Sequence, residues 1–177
     1  AVAGIGMFIA SKIEIRQREP LRREKLSLDR FFLLVGWRQA VIICCFGLSY
    51  GILSTYLAIY GKEKLGISSG TGIYFMILSV GLILSRIQGG RALRDGRVTH
   101  NAAVGVVISV IGYTLFAAVT DMWAYYASAF IIGLGNGHMF PAIQTMFINL
   151  APNNKRGTAN STLYSSWDAG VGIGILA

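Results

Sequence analysis

The chain has 177 residues, 54% of them apolar and 14% charged, with 22 Gly, 3 Pro and 2 Cys and a formal net charge of +8. Soluble domains carry roughly 25% charged residues, so this chain has too few ionic groups to coat a water-facing surface of its size, which excludes an ordinary soluble globular protein. Nor does the basic excess point to nucleic acid, because Lys and Arg fall in short clusters between long uncharged runs instead of sharing one surface.

Residues 1–10 (AVAGIGMFIA) are apolar but too short to cross a bilayer, and they run into a charged segment. They read as the end of a preceding transmembrane helix, not as a signal peptide, since no basic stretch precedes the apolar residues. Residues 11–38 form a basic linker on the cytoplasmic side, with eight basic and four acidic side chains. An alternative for its latter half is an interfacial helix with Leu28, Phe31, Phe32 and Val35 toward lipid.

Residues 39–177 read as a transmembrane bundle. Five stretches carry almost no charge, giving expected spans at about 39–61, 68–88, 98–120, 122–149 and 157–177. At about 1.5 Å rise per residue, roughly 20 residues cross a hydrocarbon core of about 30 Å. Barrel strands would be about 10 residues long with alternating polarity, a pattern missing from these runs. The fold class is therefore all-α, a polytopic helical bundle. Fourteen of the sixteen Lys and Arg fall in the linker, in Arg86–Arg97 or at Lys155 and Arg156, and only Lys62 and Lys64 lie in the alternate loops. Positive charges held on the cytoplasmic side then orient every span consistently, with Trp37, Tyr60 and Trp123 near the headgroups. The last span stops at Ala177 with no polar segment after it, so both ends read as those of a fragment.

Within the first span, Cys44 and Cys45 are adjacent and read as packing residues, since neighbouring helical positions point about 100° apart. Tyr50, Ser54 and Gly47 share a face that either offers solute a hydroxyl-bearing wall or simply packs. Gly47 and Gly51, Gly133 and Gly137, and Gly170 and Gly174 recur four apart, a spacing that lets helix backbones approach closely. Pro141 removes a backbone donor from the fourth span and predicts a kink.

Asp168 lies twelve residues after Arg156, about 18 Å along its helix and close to mid-bilayer. A carboxylate there costs roughly 2.5–3.5 kcal/mol on insertion scales unless protein or water surrounds it, so it is expected to turn inward. Ser161, Tyr164, Ser165, Asp168 and Gly172 share a helical face that would line a polar path, with proton coupling at Asp168 set against a purely structural role. Asn136 and His138 stand at comparable depth, and His138 near Asp168 would make a proton relay. No HExxH pair or paired carboxylate occurs, and the glycines of GLGNG follow no strand, so no enzyme, metal or cofactor is expected.

Three blocks together resemble the carboxy-terminal half of a major facilitator superfamily transporter of the bacterial efflux type, from the end of its sixth helix to its eleventh. They are the basic segment followed by GLSYGILSTYLAIYG, the segment LSRIQGGRALRDGR, and residues 133–174 with Pro141, Arg156, Gly157, Asp168 and Gly170. The second block resembles the family's Gly, Asp, Arg loop signature at Gly90, Arg91, Asp95 and Arg97, with Asp95 five positions after Gly90 where four is usual. The resemblance implies a secondary active transporter of a small organic solute, exchanging it for protons by alternating access in the export direction. It also implies a bacterial inner-membrane location and an amino-terminal six-helix bundle of the same protein as partner. The third span would then face lipid while the other four border the cavity or gate. A membrane-embedded sensor or scaffold without transport is the alternative.

Overall fold

The computed structural model describes residues 32–66 and 71–177. The span remnant expected over 1–10, most of the linker over 11–38, and Leu28 and Phe31 lie outside the described residues. Five helices follow: α1 (Trp37–Leu65), α2 (Thr71–Arg94), α3 (Val98–Ala118), α4 (Met122–Leu150) and α5 (Arg156–Leu176), with short 3-10 turns at Leu34–Gly36 and Asn153–Lys155. No strand occurs among the described residues.

The helices outrun the uncharged stretches. Lys62 and Lys64, expected in a loop, form the last turn of α1, and Arg91 and Arg94 form the last turn of α2, which also contains Arg86. Long basic side chains tolerate a helix end because their aliphatic stems lie along apolar surface while the charge reaches water. The turn between α2 and α3 is correspondingly tight. Gly96 takes the left-handed conformation (φ 76°), and the amides of Gly96 and Arg97 donate to the carbonyls of Leu93 and Ala92. That pairing of bonds closes a helix end where a residue with Cβ is strained.

Packing is organised around glycine. α4 is the central helix, with α2 on one side and α3 on another, and α1 pairs along its length with α5. Both parallel pairs use the same device. A Cβ on Gly170 or Gly174 would run into the α1 backbone at Cys44 or Leu48, and one on Gly47 or Gly51 into the α5 backbone at Trp167 or Val171. In the second pair, Gly133 meets the backbone of Leu78, and Gly137 meets Ser85 and Leu82. With lipid as solvent there is little hydrophobic drive between helices, so close backbone approach supplies the van der Waals contact that holds them. The four-residue spacing expected to pack does so in all three helices.

Two apolar clusters fill the interior. Leu33, Ile43, Met139, Ile143, Phe147 and Leu163 join α1, α4 and α5 toward the basic end, and Leu53, Leu57, Tyr74, Leu78, Tyr125 and Ile132 join α1, α2 and α4 toward the other. The residues just before α1 are tied down, because the buried Leu33 donates its amide to Thr162 Oγ1 at 2.8 Å. Trp37 is exposed at the same end with the Arg38 guanidinium over its ring, and Phe32 and Val35 are exposed beside it.

By length and composition, Leu34–Leu65, Thr71–Arg94 and Val98–Ala118 are apolar enough to cross a membrane. α4 and α5 have the length, but they carry Asn136, His138 and Gln144, and Asn160, Ser161, Ser165 and Asp168, respectively. Those polar residues decide where the candidate site lies.

Candidate functional site

Asn136 and His138 of α4 are buried in the bundle, whereas the α5 stripe of Ser161, Tyr164, Ser165 and Asp168 faces away from it. On α5 the buried positions are Ala159, Thr162, Leu163, Gly170 and Gly174, so the helix period puts Ser161, Tyr164, Ser165 and Asp168 on the opposite, exposed side. Asp168, expected to turn inward, instead points away from these five helices, and it makes no hydrogen bond or ion pair among the described residues. Its helix is occupied on the other edge by the glycine seam with α1.

His138 sits elsewhere. It is buried between α2 and α3, with Nδ1 3.0 Å from Asn101 Oδ1, while Asn101 Nδ2 donates to the His138 carbonyl at 2.9 Å. Gly89 supplies the room, since a Cβ there would press on both side chains. The structure thus pairs His138 with Asn101, and the His138–Asp168 relay is not assembled. Asn136 is also buried and accepts a 3.4 Å bond from Ser109 Oγ. Tyr50 is half-buried against the Trp167 ring, 5.6 Å between centroids, and Ser54 Oγ donates to the carbonyl of Gly51 in its own helix. That face of α1 belongs to the seam with α5.

A half-open cavity of about 380 Å³ lies at the basic half of the bundle, between α2, α4 and α5. Arg86, Gly90, Asn101, Pro141, Gln144 and Tyr164 are among its lining residues. Three of these, Gly90, Pro141 and Tyr164, stand out in the sequence. Arg86 does not, because in sequence it adjoins the basic cluster Arg91–Arg97, and Asn101 and Gln144 carry no charge to mark them within an apolar run. Local bonding holds the far wall: Gln144 Nε2 donates to Asn160 Oδ1 at 3.4 Å, and Thr145 Oγ1 donates to the carbonyl of Pro141 at 2.8 Å. Phe140 packs against Tyr164 and edge-on against Trp167, linking α4 to α5 just beside the opening. Tyr164 belongs to both the cavity wall and the α5 polar stripe, so Arg86 and Asp168 border one continuous surface.

The remaining sequence candidates lie at the basic end. Asp95 accepts a 3.0 Å bond from Arg97 in the α2–α3 turn, with both side chains more than half exposed. Arg91 is exposed on the last turn of α2, Arg156 opens α5, and Gly157 has open space around its Cα. No group of three or more metal-ligating side chains occurs among the described residues.

The family model described as Major Facilitator Superfamily matches residues 2–175. The chain belongs to the major facilitator superfamily. Its members are transporters, and this chain is a multi-pass, all-α membrane protein of that family. No solved structure matches the chain.

Proposed function

We propose that this chain is the carboxy-terminal bundle of a secondary active transporter that exchanges a small organic solute for protons by alternating access, in the export direction, across a bacterial inner membrane. In this reading all five helices cross the bilayer, the basic ends lie in the cytoplasm, and an amino-terminal six-helix bundle of the same protein is the partner. The observation that carries it is Asp168, exposed on an α5 face shared with Ser161, Tyr164 and Ser165. A carboxylate near mid-span cannot face acyl chains without a cost of about 2.5–3.5 kcal/mol, so that flank belongs against water or protein. A water-filled path between two bundles satisfies the requirement, and a carboxylate on its wall is open to both a proton and a solute.

The expectation is tested on the intact protein in proteoliposomes, using a solute found by screening with and without an imposed pH gradient. Asp168→Asn keeps the size and polarity and removes the titratable charge. Gradient-driven flux should fall to the level of protein-free liposomes, while solute exchange at equal pH persists. Unchanged gradient-driven flux would remove Asp168 from the coupling role.

A further inference from the structure

Arg86 is the basic residue that the positive-inside pattern explains least. It lies eight residues before the end of α2 at Arg94, about 12 Å back along the axis and inside a helix apolar enough to cross a membrane. It has no acidic partner among the described residues. The ion pair found among the described residues joins Asp95 to Arg97, Glu63 and Asp121 stand at the opposite end of the bundle, and Asp168 on α5 forms no ion pair with Arg86. The other polar residues that line the Arg86 cavity are Tyr164, Gln144 and Asn101, and among the described residues no carboxylate lines it. A cation inside a spanning segment is expensive and marks a pathway or a paired site.

From this geometry we infer that the cavity between α2, α4 and α5 is an oxyanion site, in which Arg86 receives the carboxylate or phosphate of an organic anion as it moves along the α5 flank. The planar guanidinium offers a fork of donors matched to two oxygens of such a group. Tyr164 lines the same volume, and its side chain carries a hydroxyl that can act as a neutral donor. The free volume, about 380 Å³, lies within the range of small-ligand sites. The inference rests on reading this flank as the translocation path, and it assigns that path a solute class.

The test needs no known solute. Gly90 lines the cavity with nothing within 4 Å of where a Cβ would stand, so Gly90→Cys places a thiol there without a clash. In the intact protein, with all native cysteines replaced by Ala, the thiol is titrated with a sulfonate-bearing and a quaternary-ammonium methanethiosulfonate. The anionic reagent should react about tenfold faster, the lower end of what a local potential does to an encounter rate. Arg86→Gln should abolish the preference, and Arg86→Lys should keep it. Benzoate or phenyl phosphate should slow the reaction while benzylamine does not. Reaction with both reagents but without an anionic preference overturns the anion site alone and leaves the path intact, as when a carboxylate from elsewhere in the protein pairs with Arg86. Reaction with neither overturns the path as well. Slowing by phosphatidylglycerol in the vesicles, with none by soluble benzoate, assigns the guanidinium to a lipid headgroup and overturns the solute site.

Discussion

Ile52, Tyr56, Val107, Val110 and Ile111 are exposed on the flank of α1 and α3, whereas Ser161, Tyr164, Ser165, Asp168 and Arg86 are exposed on the flank of α5 and the basic half of α2. The first flank includes an open groove of about 620 Å³ lined by residues such as Ser49, Tyr56, Val110, Tyr113 and Phe116. Both flanks are exposed, and their chemistry is opposite. Acyl chains cover aliphatic side chains without penalty, but they do not solvate a carboxylate or a guanidinium. Exposure alone therefore says little in a membrane protein, and the chemistry of what is exposed says which solvent it meets. Glycine is what permits the division, because a helix that binds its neighbour along a thin glycine edge keeps most of its circumference for other uses.

The largest effect should come from exchanging the two chemistries. Val110 is near the middle of α3 and exposed, so Val110→Arg puts a charge against lipid at a cost of about 2.5–3.5 kcal/mol. The yield of intact protein in the membrane fraction, and its monodispersity in detergent, should collapse. Ser165→Arg on the other flank should leave both near wild type. Equal losses from the two changes would erase the distinction between the flanks. Next in size is a contrast within α5 itself. Gly170→Ala drives a methyl into the backbone of Cys44, an overpacking that costs typically about 1–3 kcal/mol, whereas Gly172→Ala meets nothing. Thermal unfolding in detergent should shift down for the first and stay level or rise for the second, where Ala is the better helix former.

The contrast between flanks is partly legible in the sequence. Charge-free runs located five helices, and the three-and-four spacing of Ser161, Tyr164, Ser165 and Asp168 put them on one face. Which way that face points was not legible. Helix periodicity relates residues within an element, while the seam that turns the face outward is set by Gly170 and Gly174 meeting Cys44 and Leu48, more than a hundred positions away. The same limit explains His138. Its partner Asn101 is 37 residues distant on another helix, and an uncharged amide in an apolar run gives no signal. Helix ends differ for another reason: the expected spans stop at 61 and about 88, close to the first charges, whereas α1 and α2 continue through Lys62, Lys64, Arg91 and Arg94.

The Asn101–His138 pair is polar like the α5 flank but enclosed like the core, so it separates polarity from function. Asn101→Ala removes both bonds to His138. Interhelical hydrogen bonds in membranes contribute about 0.6 kcal/mol on average and up to about 1.7, so a modest fall in unfolding temperature is expected. The response of transport to a pH gradient should be retained. Asp168→Asn should behave the other way round, with stability retained and the gradient response lost. If Asn101→Ala also abolishes the gradient response, His138 acts together with the α5 flank and the two regions are one system.

The smallest effect is expected at Asp95. Its pair with Arg97 is more than half exposed on both sides, and pairs of that kind contribute roughly 0.2–1 kcal/mol, diminished by salt. What shapes the α2–α3 turn is the left-handed backbone of Gly96, a conformation that costs a residue with Cβ roughly 1–2 kcal/mol. Gly96→Ala should therefore lower the unfolding temperature of the intact protein more than Asp95→Ala does, and raised salt should shrink the already small Asp95→Ala difference. A loss from Asp95→Ala that equals or exceeds that from Gly96→Ala would mean the carboxylate holds a partner beyond Arg97, contributed by another part of the protein. The turn would then count as an extension of the polar flank, and the boundary between the two faces would have to move to include the basic end of α2.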